Sequence, residues 1–298
     1  MSETELNSPA DPRAKNNWLM KHARNEASKA GEDGVLEKIF SILGVENGWA
    51  VEFGAWDGKH LSNTWNLVVN HGWSGVYIEA DTARFQDLLA RFRDTPRVHS
   101  FNEYVQFTGP GSLDSILART PIPEDFALLS IDVDGNDYHF WDSVVRYRPR
   151  VVIIEFNPAI PDTIEFVQPR DMSLNQGNSL AALAKLGKSK GYELICITDK
   201  NAIFVAAKDY ARFNIPDNSP AAMRDDSKYR LTLFQLYDGT LVLDGCNRLV
   251  WHKLPLGRFQ LQVLPKLLRH YPGIRPSFWK RQLYKFYTRR LRRQRAGD

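Results

Sequence analysis

The sequence has few cysteines and no long apolar run. Cys196 and Cys246 are the two cysteines among 298 residues. Because they form no CxxC motif and no Cys/His spacing, the pattern excludes a disulfide framework, argues against a zinc site and fits a reducing compartment. No stretch approaches the ~18 apolar residues that span a membrane. The polar segment 1–17 lacks the apolar part of a signal peptide, so we expect a cytoplasmic protein.

Charge is distributed unevenly along the chain. The net charge is +4, yet residues 278–298 contain eight Lys/Arg and one Asp, which leaves −3 for the other 277 residues. A mildly acidic body does not favour nucleic-acid binding. The basic tail also carries apolar residues at helical spacing, namely Trp279, Leu283, Phe286, Tyr287 and Leu291. This pattern is typical of a helix on an anionic membrane surface, and equally of a helix packed on its own domain.

Apolar segments of strand length alternate with helical segments over residues 49–206. The predicted strands are 49–53, 75–79, 98–105, 126–131, 150–156, 192–198 and 202–206. The predicted helices between them are 60–71, 82–93, 112–119, 138–147 and 179–190. The alternation predicts an α/β fold: a Rossmann-like, seven-stranded, doubly wound sheet that ends in an antiparallel hairpin, followed by a C-terminal appendage.

The composition along the chain also suggests its divisions. We expect a flexible leader over 1–17, the α/β domain over 18–207, an appendage over 208–277 and a basic amphipathic tail over 278–298. Within the appendage, a hairpin over 231–243 and a helix near 259–270 are predicted.

A glycine turn follows the first predicted strand, and a carboxylate ends the second. Glu52, Gly54 and Gly58 belong to the segment VEFGAWDG, and Glu79 comes 21 residues after Gly58. Such a turn lets a ligand approach the backbone, and such a carboxylate can accept the hydroxyls of a ribose. The pair fits a dinucleotide site, an S-adenosylmethionine site or a tight turn without a ligand. Since Trp56 and Asp57 replace the small residues of GxGxxG, S-adenosylmethionine is favoured.

Residues 34–207 resemble the class I S-adenosylmethionine-dependent methyltransferases, and within them the FkbM-like methyltransferases. The resemblance rests on the segments 51–58, 76–81, 128–137 and 151–158, although the usual Asp-Val-Glu-Gly is Asp132-Val-Asp-Gly135 here. It implies that the methionine end of the cofactor lies along Glu52, Gly54 and Gly58, and the ribose on Glu79. The other residues that it places at the cofactor are Asn102 and Glu103 near the adenine, with Trp56, Asn63 and Asp132 around the pocket.

Carboxylates also follow the fourth and fifth predicted strands. Because parallel strands bring their carboxyl ends to one edge, these oxygens should meet there. Carboxylate and amide oxygens suit Mg²⁺ or Mn²⁺, so the predicted metal ligands are Asp132, Asp134, Glu155 and Asn157. Without a metal, one carboxylate would be a general base, and the candidate catalytic residues are Asp132, Asp134 and His139. Alternatively, Asp132 closes the cofactor pocket, residues 134–136 form a turn and Asp137 caps a helix.

The long connection 158–180 is predicted to bind substrate, because long loops in compact domains are usually functional. Its donors and acceptors, Gln168, Arg170, Asn175 and Gln176, suit a hydroxyl-rich molecule. A loop that merely caps the next helix is the alternative.

Together, these features predict an O-methyltransferase that uses S-adenosylmethionine, assisted by a divalent metal. The expected acceptor is a hydroxyl of a glycan or glycosylated intermediate, which could be lipid-linked. Two alternatives remain: a metal-dependent phosphohydrolase or nuclease, and a non-catalytic binding protein on a methyltransferase scaffold.

Overall fold

A computed structural model describes residues 13–257, 261–271 and 273–294. The chain divides into two compact units, which we call the sheet unit (up to Asp226) and the C-terminal unit (from Ser227). Within the described ranges, no helix combines the length and the apolar character needed to cross a membrane.

Seven strands form the sheet of the first unit. They are β1 (Trp49–Phe53), β2 (Ser74–Ile78), β3 (Val98–Phe101), β4 (Leu128–Ile131), β5 (Val151–Glu155), β6 (Tyr192–Ile197) and β7 (Asn201–Ala206). Their order is β3-β2-β1-β4-β5-β7-β6. The pairs from β3 to β5 are parallel, while β7 runs antiparallel to both β5 and β6. The predicted Rossmann-like sheet with a terminal hairpin is confirmed.

Helices connect these strands and cover the sheet. They are α1 (Arg13–Asn16), α2 (Glu32–Leu43), α3 (Trp65–Val69), α4 (Thr82–Phe92), α5 (Leu113–Leu117), α6 (Asp137–Ser143), α7 (Leu180–Ser189) and α8 (Pro220–Met223), with 3-10 turns at Trp18–His22 and Ala207–Phe213. The helix predicted over 60–71 begins only at Trp65, and the strand predicted over 98–105 ends at Phe101.

The core lies on both faces of the sheet. Strand β5 shows the reason: Val152 and Ile154 pack into one apolar cluster, whereas Val151 and Ile153 pack into the other. All four side chains are fully buried. Successive side chains of a strand point to opposite faces, so the continuous Val/Ile run fills both layers and fixes β5 in the middle of the fold.

The segments that flank the predicted domain also contact the sheet unit. Residues 1–12 lie outside the described residues, but Asn17, placed by the sequence in a flexible leader, pairs with the backbone of Ile197 in β6 through both ends of its amide. After β7, Phe213 and Met223 are buried in the two apolar clusters. Residues 208–226, predicted as part of an appendage, therefore belong to the sheet unit by their contacts.

In its described residues, the C-terminal unit consists mainly of short strands and one long helix at the end. It contains the hairpin β8 (Leu231–Gln235) and β9 (Leu241–Gly245), the short pair β10 (Arg248–Leu249) and β11 (Leu254–Pro255), a 3-10 turn at Lys266–Leu268 and helix α9 (Phe278–Gln294). The helix predicted near 259–270 falls partly outside the described residues, and the 3-10 turn occupies its described end.

Candidate functional site

Two adjoining cavities open at the carboxyl ends of the parallel strands, where open α/β sheets bind ligands. The smaller, which we call the small cavity, has a volume of about 130 Å³. The larger, the acidic cavity, has about 510 Å³. Phe53 and Gly54, at the end of β1, line both. A ligand lying across the end of β1 would therefore occupy both cavities.

Gly54 is required by a close approach of two backbones. Its φ is +73°, and an added Cβ would lie 2.5 Å from the carbonyl oxygen of Asp132. A side chain at Gly54 would push the β1 turn away from the end of β4. Gly58, predicted to line the cofactor, faces α4: a Cβ added there would lie 2.5 Å from the ring of Phe92.

Glu79 is held rigidly at the end of β2. Its side chain is 6% exposed and lines the small cavity. One carboxylate oxygen accepts the Trp56 backbone N–H and the other accepts that of Asp81, each at 2.7 Å. Since each carboxylate oxygen has a second lone pair, the group keeps acceptor capacity toward the cavity. The N–H of Trp56 comes from the glycine turn, so Glu79 joins the ends of β1 and β2.

The two residues predicted near the adenine have different positions. Glu103 lines the small cavity and forms a 2.7 Å ion pair with Arg119. The Asn102 amide donates to the carbonyl oxygens of Glu79 and Ala80 at 2.8 and 3.2 Å. Asn102 therefore supports the backbone that carries Glu79.

Glu52 organises the far wall of the acidic cavity. Its buried carboxylate accepts the hydroxyl groups of Ser62 and Thr64 and, at 2.9 Å, the backbone N–H of Asn63. Burial raises the pKa of this carboxyl group. The Asn63 amide in turn donates to the Ser130 hydroxyl at 3.2 Å. Glu52 thus shapes the segment between β1 and α3, which explains why α3 begins late.

Trp56 projects from the glycine turn into the acidic cavity. It has a φ of +51° and is 42% exposed. The guanidinium of Arg84 lies 3.5 Å above its ring, a cation–π contact that orients the indole.

Three carboxylates meet in the acidic cavity. Oxygens of Asp132, Asp134 and Glu155 lie within 4.8 Å of one another, and the Lys200 ammonium is 3.4 Å from Glu155. Burial, followed by repulsion from Asp132 and Asp137, raises the pKa of Glu155 to about 8. Asp132 is exposed toward the open cavity, but partial desolvation and then the charge of Asp134 also raise its pKa. The cluster can therefore hold a proton near neutral pH.

Two nearby polar residues have roles outside this cluster. Asn157, a predicted metal ligand, accepts the Ala159 N–H at 3.0 Å and donates to the Gln176 carbonyl at 2.8 Å. Its amide is thereby directed into the 158–180 loop. Asp137, the first residue of α6, is buried and accepts the backbone N–H groups of Val133 and Gly135, which precede that helix. The N-cap position belongs to Asn136, so the alternative expectation that Asp137 caps the helix is wrong, and its carboxylate holds the turn after β4. Burial and then Asp132 raise its pKa to about 7.

The 158–180 loop is organised around Gln168. This predicted substrate contact is 1% exposed, and its amide bonds to the backbone of residues 174, 176 and 177. His139, a predicted base, places Nε2 2.8 Å from the Gln168 carbonyl oxygen. Both residues therefore hold the loop on α6. The Gln168 amide is thereby directed to the loop backbone and not to a substrate, while the role of His139 as a base stays a prediction.

The other predicted loop residues are more accessible. Asn175 lines the small cavity. Arg170 stacks on the ring of Phe107 at 4.5 Å, and the Gln176 side chain is exposed. Their substrate contacts stay predictions.

No family model matches the chain, and no curated protein matches it. Solved structures do show a likeness. The strand order, with β7 alone reversed, is that of the Rossmann-like methyltransferase fold. An unconfirmed sarcosine dimethylglycine methyltransferase from Galdieria sulphuraria aligns at 16% identity and a TM-score of 0.37, over 54% of this chain and 59% of that one.

Two further solved structures align at similar identity and TM-score. An S-adenosylmethionine-dependent methyltransferase from Clostridium acetobutylicum aligns at 10% identity and a TM-score of 0.38, covering 58% of this chain and 89% of that one. The N-terminal domain of EvdMO1, with SAH bound, aligns at 9% identity and a TM-score of 0.39, covering 62% of this chain and 82% of that one.

Several residues that line the cavities were missed by the sequence analysis. The small cavity includes Tyr104, Val133 and Met172, whose apolar surfaces suit a flat ring. The acidic cavity includes Lys200. The sequence did indicate a turn around Lys200, between the predicted strands 192–198 and 202–206. The structure places this turn beside the carboxyl end of β5, because Asn201 pairs with Glu155.

Proposed function

We propose that this chain is an S-adenosylmethionine-dependent methyltransferase. The observation that supports this most is the junction at Gly54, where a glycine turn anchored by Glu79 separates a small, largely apolar cavity from an acidic one. The small cavity suits the adenosine half of the cofactor, with Glu79 accepting ribose hydroxyls. The acidic cavity suits its cationic end, because carboxylates favour an ammonium and a sulfonium group.

The acceptor that fits this site best is a hydroxyl group. S-adenosylmethionine supplies an electrophilic methyl group, and the chain must position the acceptor oxygen and remove its proton. Asp132 and Glu155 lie together in the acidic cavity, and the pKa of each is raised. A raised pKa makes a carboxylate a stronger base, so the ionised member of this pair is suited to take that proton. We propose O-methylation of a glycan or glycosylated intermediate by an FkbM-like enzyme in the cytoplasm. The polar groups of the 158–180 loop support a hydroxyl-rich acceptor.

The three carboxylates could also hold a divalent cation. Their ligand type suits Mg²⁺ or Mn²⁺, and such an ion would lower the pKa of an acceptor hydroxyl. Lys200 already places one positive charge beside Glu155, so a metal is not needed to balance that carboxylate. We propose metal assistance as the second part of the function. Methyl transfer that is unchanged in excess chelator, with metal removal checked by elemental analysis, would contradict it.

The phosphohydrolase or nuclease alternative uses the same acidic cavity. It leaves the anchored Glu79 and the small cavity without a role. Hydrolysis of a phosphate ester by the metal-loaded chain, without affinity for S-adenosylmethionine, would favour that alternative.

Calorimetry with S-adenosylmethionine tests the proposal. We expect binding by the wild type and weaker binding by Glu79→Gln, by roughly 1.5–3 kcal/mol, because a charged acceptor is lost. The amide retains one acceptor oxygen for the glycine turn. Glu165→Gln is the matched control, since Glu165 is a surface residue paired with Lys185. Equal affinities of wild type and Glu79→Gln, or no binding by the wild type, would contradict the assignment.

A further inference from the structure

The division of the chain into two units reveals a strong charge separation. The C-terminal unit, residues 227–298, contains 16 Lys/Arg, three Asp and no Glu, which gives a net charge of +13. Residues 1–226 contain 23 Lys/Arg and 32 Asp/Glu, a net charge of −9. Opposite charges are therefore concentrated in different units, and the basic character is not confined to the last helix.

The same unit exposes many large apolar side chains. Leu268 is its one buried hydrophobic residue in the part of the chain that the structure describes. By contrast, Tyr237 and Leu267 are each 85% exposed, and Trp279 is 76% exposed. Exposed apolar groups at this density mark an interaction surface, because water does not stabilise them.

Helix α9 separates its packing face from its exposed apolar face. One side contacts the segment before it: Lys280 Nζ donates to the Arg269 carbonyl at 2.7 Å, and the Tyr287 hydroxyl donates to the Val263 carbonyl at 2.9 Å. A different stripe at helical spacing stays exposed, namely Trp279, Leu283 and Phe286. Packing within the unit thus accounts for one face of α9 and leaves the apolar stripe uncovered.

Exposed basic residues lie beside this stripe. Arg281, Lys285 and Arg289 are all exposed on α9. On a helical wheel they fall on the side away from the packing face, and Arg289 is the one nearest the stripe. Aromatic and aliphatic side chains next to a row of cations are the composition of helices that lie in the interface of an anionic bilayer. The apolar groups enter the headgroup–acyl boundary, and the cations contact lipid phosphates and carboxylates.

We propose that the C-terminal unit binds an anionic lipid surface. Its net charge of +13 supplies the attraction, and the exposed stripe of α9 supplies the insertion. A single-stranded RNA would also attract the charge, but aliphatic Leu267, Ile274 and Leu283, exposed by 59% or more, offer it neither ring stacking nor hydrogen bonds. Lipid is the occupant that uses both features. This inference does not rest on methyltransferase activity.

Vesicle co-sedimentation of the full chain tests this inference. We expect binding to mixed phosphatidylserine–phosphatidylcholine vesicles and much weaker binding to phosphatidylcholine alone. Neutralising Arg281, Lys285 and Arg289 to Gln should weaken partitioning about fivefold per engaged residue, or roughly a hundredfold in total. Changing Trp279, Leu283 and Phe286 to Ala should weaken it about tenfold or more, and should remove the part that survives high salt.

A control variant keeps the comparison specific. Leu89→Ala with Val145→Ala removes exposed apolar residues of the sheet unit and should leave sedimentation unchanged. Circular dichroism of every variant checks that α9 and the sheet remain folded. Equal sedimentation with and without anionic vesicles would overturn the proposal. So would tight binding of a single-stranded RNA together with no preference for phosphatidylserine.

Discussion

At the scale of single residues, two glycines with the same backbone conformation have different surroundings. Gly54 and Gly72 have φ values of +73° and +74°, but an added Cβ meets the Asp132 carbonyl at 2.5 Å only at Gly54. At Gly72 nothing lies within 4 Å. Comparing substitutions at these two glycines therefore separates the cost of a left-handed conformation from the cost of crowding the turn after β1.

We expect Gly72→Ala to lower the free energy of unfolding by about 1–2 kcal/mol, the cost of a left-handed alanine. Gly54→Ala should cost about 1–3 kcal/mol more, because the β1 turn must move away from β4. Urea denaturation of both variants measures the difference. If Gly54→Ala is no less stable than Gly72→Ala, the backbone of Asp132 does not lie as close to Gly54 as the structure shows.

The glycine turn and Glu79 could be identified from sequence because their spacing and strand-end positions carry the information. Asn157 and Gln168 could not, because an amide has two ends and its partners depend on how the loop returns to the sheet. Both side chains satisfy the backbone of the 158–180 loop. Composition shows which groups can form hydrogen bonds but does not show with which partner.

At the scale of elements, the 158–180 loop depends on Gln168 and reaches the small cavity through Met172 and Asn175. Gln168→Ala removes acceptors for the N–H groups of residues 176 and 177 and a donor to residue 174. We expect faster limited proteolysis within the loop and a lower affinity for S-adenosylmethionine, by about tenfold, which equals one lost buried hydrogen bond or slightly more.

Gln176→Ala is the matched control for this loop, because it removes the same side chain from an exposed position. Its proteolysis pattern and cofactor affinity should equal those of the wild type. If the two Gln variants behave alike, the loop does not depend on the buried amide.

A second element-scale contact joins β5 to the 3-10 turn Ala207–Phe213. Arg150 donates to both carboxylate oxygens of Asp209 at 2.8 and 2.9 Å. This hydrogen bonding lowers the pKa of Asp209. A carboxyl group whose pKa is lower in the folded chain than in the unfolded chain stabilises the fold. This contribution is complete at pH values above the unfolded pKa, near 3.9, and is lost as the pH falls to the pKa of the folded state.

We therefore expect Asp209→Asn to destabilise the chain by about 1–3 kcal/mol at neutral pH. The deficit should shrink as the pH falls below about 4, because the wild type then loses the same charge. Thermal unfolding as a function of pH measures this. Glu165→Gln, which breaks an exposed pair with Lys185, should show no such deficit. A deficit for Asp209→Asn that does not change with pH would contradict the role of the ion pair.

Element types were predictable where periodicity is long and continuous, as in β5 and α4. The start of α3 could not be predicted. The hydroxyl groups of Ser62 and Thr64 donate hydrogen bonds to Glu52, and these bonds hold the segment before Trp65 in a non-helical conformation. Short polar side chains can form hydrogen bonds that compete with those of a helix. Here the acceptor is Glu52 in β1, and the local helical pattern of residues 60–71 does not reveal it.

At the scale of the whole molecule, the alternation of strands and helices was sufficient to predict the sheet, whereas the division between units was not. Residues 208–226 are polar and lack periodicity, yet their few apolar side chains enter the core. Arg224 also forms a buried 2.6 Å ion pair with Asp162. Contacts between segments this far apart leave no local pattern in the sequence.

This division leads to a prediction about independent folding. Both apolar clusters of the sheet unit consist of residues before 227. Its last residue, Asp226, accepts the backbone N–H of Asp162 at 3.1 Å. A chain that ends at Asp226 thus keeps the whole core and both cavities, and we expect it to unfold cooperatively with a Tm within a few degrees of the full chain, about what 1 kcal/mol produces in a protein of this size.

Differential scanning calorimetry of the chain ending at Asp226, beside a chain ending at Ala207, tests the prediction. The shorter chain lacks the Arg150–Asp209 pair and the buried Phe213 and Met223, so it should lose well over 3 kcal/mol of stability or fail to fold. If the proposed function is right, S-adenosylmethionine should raise the Tm of the longer chain and of the full protein alike, since ligand binding to the native state stabilises it. If neither truncated chain shows a cooperative transition, the sheet unit requires residues after 226 in order to fold, and the separation of charge between the two units is not matched by independent folding.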